Sequence, residues 1–288
     1  NLALLVATWR GRIGLAGLIL FALLAIFGTL IAPQDPNAPS SFSADILAGP
    51  SGSHLLGTDE NGRDVLSELL YAARISLAVG LAAAFISSVI GTAVGIVAGY
   101  AGGWLDKVLT GIDDWFLVIP FVPMTLVVGT LLGQRAAGWP LGLSAVQILV
   151  IGVFGWAGTA RVVRAEVLTQ KERAFVERSR ALGAHGGFIM RRHILPNVMP
   201  LAFANSVLFV SLSVLTAATL SFLGLGDPTR FSWGQMLNAA YENGAMASGI
   251  WWYFIPPGLC ITGLVLTFSL IGYALEEIVN PRLRERRG

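Results

Sequence analysis

Residues 75–100 read ISLAVGLAAAFISSVIGTAVGIVAGY, an apolar run with no Asp, Glu, Lys, Arg or His. About 20 mostly apolar residues in a helix cross a hydrocarbon core roughly 30 Å thick. The run therefore predicts a membrane-spanning helix. Gly91, Gly95 and Gly99 recur at steps of four, which puts small residues on one helix face for close packing within the chain or against another chain. The same test of length and composition finds five further runs, at 13–31, 115–132, 141–160, 197–222 and 250–275. Charged residues make up only 12% of the 288 and apolar ones 55%, with a mean hydropathy of +0.70. Soluble domains carry about 25% charge. The expected fold class is an all-α polytopic membrane protein with six transmembrane helices.

The cationic residues orient these spans. With the N-terminus inside, 15 of the 19 lysines and arginines fall on the inner side. The four outside are Arg63, Arg74, Arg135 and Arg230. Such a bias predicts cytoplasmic N- and C-termini. Trp104, Trp115, Trp139, Trp251 and Trp252 flank the spans, where an indole suits the headgroup level. The first outside segment begins with Pro33, Pro36 and Pro39. It leads into a helix expected to start near Asn61, with Asn61 as N-cap, Asp64 in the first turn and Arg74 closing it before the second span. The chain opens at Asn1 without methionine, so part of a native N-terminus is expected to be missing, and the apolar stretch that follows does not suit a cleaved signal peptide. No internal repeat of helical hairpins is evident.

Several chemistries lack their residues. A phosphate-cradling loop needs Gly-Lys-Ser/Thr, and the two lysines, Lys107 and Lys171, sit in Leu-Asp-Lys-Val and Gln-Lys-Glu. Proton- or ion-coupled carriers usually place ionisable residues inside the membrane, and all six runs lack them. Asp113 and Asp114, just before the third run, read as a boundary pair near a helix N-terminus, held by its dipole. His185 and His193 have no third ligand at metal-site spacing. Ser87 and Ser88 have no histidine or lysine in any run to activate them. Cys260, the single cysteine, reads as a small apolar residue.

The longest inside segment, 161–196, reads RVVRAEVLTQKERAFVERSRALGAHGGFIMRRHILP. Nothing between Arg164 and Leu182 breaks a helix, and Leu168, Phe175 and Leu182, beside Val167 and Ala174, predict an apolar stripe along a charged rod. Gly183 is placed to end that helix, Gly186-Gly187 to turn, and Pro196 to start the next span. A rod of this kind suits a headgroup surface or a protein partner, and the pattern alone demands neither. In the fifth run, Asn205, Ser206, Ser211, Ser213 and Thr216 either face a polar path or hydrogen-bond between helices and to their own backbone, the commoner use.

Glu177-Arg178-Ser179-Arg180-Ala181-Leu182-Gly183 followed by Ile194-Leu195-Pro196 resembles the EAA loop of ABC-importer permeases. In that pattern Glu-Ala-Ala, three residues, Gly, nine residues, Ile, one residue and Leu-Pro follow in order. The Glu, Gly and Leu-Pro stand at the required spacings. Arg178 and Ser179 replace the two alanines, and His193 stands at the isolated Ile position, next to Ile194. Leu56-Gly57-Thr58-Asp59-Glu60-Asn61-Gly62-Arg63-Asp64 with Ala73-Arg74-Ile75-Ser76-Leu77 is similar to the start of the peptide/nickel branch of these permeases. Phe222-Leu223-Gly224-Leu225-Gly226 with Ser232-Trp233-Gly234, then Ile255-Pro256-Pro257-Gly258 and Asn280-Pro281-Arg282-Leu283-Arg284, resemble its later segments. Tyr273-Ala274 departs from the Gly-Asp that relatives often carry. The likeness runs in order through nearly the whole chain and is greatest to the C-type subunit of dipeptide/oligopeptide permeases.

The resemblance implies a subunit of the bacterial inner membrane that moves di- or oligopeptides, with nickel or another small solute as the alternative cargo within the same class. A stand-alone channel or secondary carrier is the alternative of a different class. It implies a cytoplasmic coupling helix between spans four and five, with Glu177, Ala181, Leu182, Gly183, Ala184, Leu195 and Pro196 forming the ATPase-coupling loop. It further implies a heterodimer with a homologous B-type permease, two ATP-binding subunits holding ATP and magnesium, and an extracytoplasmic peptide-binding protein. Lipid surrounds the chain, and no nucleic acid, catalytic residue, metal or cofactor of its own is expected. The organisation expected is 1–32 for the N-terminal segment and first span, 33–74 for the outside loop and helix, 75–275 for a five-helix core with loops 161–196 and 224–249, and 276–288 for a basic cytoplasmic tail.

Overall fold

The computed structural model describes residues 2–36, 46–136 and 138–279. Asn1, Pro39 and the basic tail from Asn280 onward lie outside the described residues. Among those described there are twelve α-helices: α1 (Leu2–Ala7), α2 (Trp9–Ile31), α3 (Val65–Ala101), α4 (Gly103–Val118), α5 (Phe121–Gly133), α6 (Gly142–Phe154), α7 (Trp156–Lys171), α8 (Ala174–Ala181), α9 (Gly186–Ile189), α10 (Leu195–Leu220), α11 (Trp233–Glu242) and α12 (Trp251–Val279). Single π-turns, Met190–Ile194 and Ser221–Leu225, flank α10. Five helical stretches are long and apolar enough to cross a membrane, with a sixth if the bent pair α4–α5 crosses as one.

That pair is where the expected third span differs most. α4 and α5 meet at 90° around Ile119 and Pro120. Ile119 is extended, with ψ 129°, because a proline ring disfavours helical geometry in the residue before it. The segment is two helices meeting at an elbow instead of the single rod expected at 115–132.

α3 runs 37 residues without interruption, about 55 Å at 1.5 Å per residue. It outreaches the hydrocarbon, so the separate outside helix expected to end at Arg74 is the first part of α3. Its cap is Asp64, whose carboxylate accepts from the Ser67 amide at 2.8 Å. Asn61 is not the cap. The amides of Asn61 and Arg63 both donate to Asp59 Oδ1, at 2.8 and 2.6 Å, and Thr58 pairs with Asp64 in an isolated antiparallel bridge. Two cap-competent side chains three residues apart are thus sorted by the loop fold that precedes them.

The largest core cluster joins α2, α3, α10, α11 and α12 around Trp233 and Tyr253, both fully buried. Trp233 donates from its indole to the Leu69 carbonyl at 3.0 Å, and its amide donates to Ser76 Oγ at 3.1 Å. The Tyr253 hydroxyl donates to the Glu60 carboxylate. The segment 46–64 is tied down onto α12 in this way. α2 leaves Ile19, Leu20, Ile26 and Leu30 exposed, an apolar face that suits lipid.

The glycine stripe of α3 packs within the chain, against α7. A Cβ on Gly91 would stand 2.6 Å from the Trp156 carbonyl oxygen, one on Gly95 2.5 Å from that of Ala160, and one on Gly99 2.9 Å from Val167 Cβ. Backbones can approach this closely only where the side chain is hydrogen.

Candidate functional site

The expected rod from Arg164 to Leu182 is two helices. α7 ends at Lys171, Glu172 and Arg173 form the break, and α8 begins at Ala174. No glycine or proline causes it. Packing does: Val163, Val167, Val176, Ile189, Ile194, Val198 and Ala202 form one buried cluster, and a straight helix could not return Val176 to it. The stripe is correspondingly different from that expected. Val176 is fully buried, whereas Phe175 is 41% and Leu182 88% exposed. Phe175 instead stacks beside His193 with ring centroids 5.7 Å apart, and His193 meets Phe188 at 5.8 Å.

α8 ends in a Schellman turn. The Ala184 amide donates to the Ser179 carbonyl at 3.1 Å and the Gly183 amide to that of Arg180 at 3.0 Å. Gly183 has φ +84°, the left-handed geometry that glycine adopts without Cβ strain. The result is a projecting tip. Glu177, Arg178, Arg180, Ala181, Leu182 and Gly183 are exposed and Ala184 half-buried. Leu195 is half-buried and Pro196 exposed at the start of α10. The segment after the tip is not the expected flexible turn. Gly186 and Gly187 open α9, which continues through the π-turn into α10 as one helical stretch from Gly186 to Leu225. The Tyr100 hydroxyl donates to the Gly186 carbonyl at 2.8 Å.

α7 joins this tip to the membrane core. Lys171 Nζ donates to the carbonyls of Gly99 and Tyr100, at 3.1 and 2.9 Å. A cation there satisfies the unpaired carbonyls at the C-terminus of α3 and suits its dipole. Arg164 grips Asp106 of α4 with two parallel bonds of 2.6 and 2.8 Å. Arg161 pairs with Asp114 and reaches Asp113 Oδ2 at 3.5 Å. The two aspartates therefore lie near the C-terminal end of α4, where a helix dipole repels anions. Arg161, not the dipole expected from sequence, compensates them.

A groove of about 720 Å3 opens between the α4–α5 elbow, the α6–α7 junction and α10. Its lining is chiefly apolar, from Phe116, Phe121, Phe154, Phe209 and Leu212 among others. Of the five residues of the fifth run expected to face a polar path or to bond between helices, only Asn205 lines it, donating to Thr159 Oγ1 at 3.0 Å. Ser206 and Thr216 bond to their own helix, at Ala202 and Leu212, and Ser211 donates to the Val265 carbonyl of α12 at 3.1 Å. Ser213 is buried with its hydroxyl unpartnered. Sequence reading missed Asp106, Arg161, Arg164 and the elbow. Pro120 and Pro123 inside the third run were the available signal for the elbow, whereas the ion pairs span 47 to 58 residues of sequence and leave no local pattern.

The described residues are chiefly helical, with several helices long and apolar enough to cross a membrane, and the chain belongs to the family of binding-protein-dependent transport system inner membrane components, whose pattern matches residues 91–285. It is thus an ABC-importer permease and a multi-pass protein of the inner membrane. It is 36% identical over 268 residues to the glutathione transport system permease protein GsiD of Escherichia coli O6:K15:H31 (strain 536 / UPEC), covering 92% of this chain and 84% of that one. To the dipeptide transport system permease protein DppC of Bacillus subtilis (strain 168) it is 34% identical over 279 residues, covering 96% and 83%. The crystal structure of an amino acid ABC transporter with histidines shares its fold, with a TM-score of 0.50 at 15% identity over 77% of this chain and 94% of that one.

Proposed function

We propose that the chain carries short peptides, with glutathione among them, and that α8 with its Gly183 turn is the coupling helix that docks on a separate ATPase. The observation that carries this reading is Leu182. A leucine 88% exposed at the tip of a turn bearing Arg178 and Arg180 has little reason to face water, and an apolar knob ringed by charge suits a pocket in a protein partner. Glu177, Ala181, Gly183 and Ala184 shape the same tip, while Leu195 and Pro196 set where α10 departs from it. The names of the glutathione and dipeptide relatives support the cargo class.

On this reading the termini and loop 161–196 are cytoplasmic, and α4–α5 cross as one broken span. The permease pairs with a B-type homologue, two ATPase subunits bind ATP and magnesium, and an extracytoplasmic binding protein delivers the peptide. The chain itself holds no nucleotide. Residues 1–32, 33–74, 75–275 and 276–288 serve as entry span, outside cap, transport core and tail. Asn205 is the path residue, and Ser206, Ser211, Ser213 and Thr216 shape α10 around it. ATP binding closes the ATPase pair, and α8 carries that displacement to the spans.

A photo-crosslinking residue at position 182 tests this in the assembled complex. An adduct with the ATPase subunit is expected. Adducts with lipid alone would end the coupling assignment.

A further inference from the structure

α4 is an articulated rod. It is joined to α3 through Gly102 and Gly103, both at positive φ, +67° and +61°, and a Cβ on either would meet nothing within 4 Å. Its other end is the elbow at Ile119–Pro120, bent by 90°. The outward face of the rod carries Trp104, Val108, Ile112 and Trp115, all exposed. Between these joints the rod is held by α7, through the two-bond Arg164–Asp106 pair and through Arg161 on Asp113 and Asp114. Near the elbow, the Phe116 ring lies against Trp156 at 5.3 Å.

α7 in turn is committed to the core. The glycine seam holds it against α3 and Lys171 closes the far end. We propose that the Arg164–Asp106 and Arg161–Asp113/Asp114 pairs are the linkage by which the elbow, one wall of the groove, follows displacement of α7 when the coupling turn moves. Arg164 and Asp106 are positioning residues of transport. This inference rests on the reading of α8 as the coupling helix. Two features favour a linkage over mere adhesion. A bidentate guanidinium–carboxylate pair fixes orientation as well as distance, which a rod jointed at both ends requires. In addition, Asp113 Oδ1 is buried without a partner while Arg161 reaches only the other oxygen, so a shift of α7 has a better-satisfied arrangement to move into.

The test uses the assembled importer, with its partner permease and ATPase subunits, in lipid nanodiscs. In a Cys260→Ser background, spin labels at Val118 and Leu212 report the width of the groove without nucleotide and after trapping with ATP and vanadate. The unaltered linkage is expected to give a nucleotide-dependent shift in that distance. Arg164→Gln and Asp106→Asn should each lose at least half of the shift and broaden the distribution, with ATPase turnover retained. The exchanged pair, Asp106→Arg with Arg164→Asp, should recover it. Arg164→Lys keeps the charge without the fork and should recover it only in part. An unchanged shift in the single variants, or a loss that the exchanged pair does not recover, overturns the linkage. So does an importer whose position 182 crosslinks to the ATPase while the groove width stays constant on trapping. Absence of that crosslink strikes instead at the coupling-helix reading.

Discussion

Two glycines illustrate how a single hydrogen side chain carries different burdens. Gly95 is needed for space. A leucine there would drive atoms into the Ala160 carbonyl and Val163, and overpacking of this kind costs about 1–3 kcal/mol. Gly95→Leu should lower the thermal midpoint of the detergent-solubilised protein, measured by intrinsic fluorescence. Gly111→Ala, where a Cβ meets nothing within 4 Å, should leave it unmoved. Gly183 is needed for its backbone. Nothing lies within 4 Å of its Cβ position either, so a substitution there acts through the left-handed geometry alone, at about 1–2 kcal/mol for a residue with a Cβ. Gly183→Val should unravel the end of α8, abolishing solute uptake into cells with insertion intact. Gly183→Asn, which tolerates that geometry, should retain most of the uptake. The glycine at 183 was legible from sequence because a charged helical pattern stopping at a glycine has a known physical cause. The partner of the stripe at 91, 95 and 99 was not legible, since small residues advertise closeness without saying to what.

At the scale of elements, the apolar runs are the best-read part of the chain and the charged segment 161–196 the worst. Lipid offers the backbone no hydrogen bonds, so a lipid-exposed crossing must be helical and apolar, and composition reveals it. At 161–196 water can satisfy any exposed backbone group, and the sequence tolerates either a straight rod or a broken one. The buried cluster that holds Val176 made the choice. Val176→Asp would place an uncompensated charge in that cluster, a change of the kind that costs several kcal/mol. It should release α8, seen as faster trypsin cleavage at Arg173, Arg178 and Arg180 in inside-out vesicles, while cleavage elsewhere is unaltered. Cleavage at the unaltered rate would mean that the ring contacts of Phe175 and His193 hold the helix unaided.

At the scale of the whole molecule, orientation follows from where the arginines lie. In a Cys260→Ser background, a cysteine at the exposed Leu55 should react with an impermeant maleimide added to intact spheroplasts, and one at Leu182 only after the membrane is inverted. The reverse pattern would invert the entire reading. The sequence by itself determined that the chain lives in a bilayer, roughly where its apolar runs lie and which family it resembles, because each of these is set by local composition or by spacing along the chain. Tertiary structure alone decided that the third apolar run breaks at Ile119–Pro120, that α3 and α7 interlock through glycine, that α8 folds back on Val176, and that Arg161 and Arg164 clasp α4. These depend on groups far apart in sequence competing for the same space and the same hydrogen-bond partners, and that competition is resolved only when the helices pack.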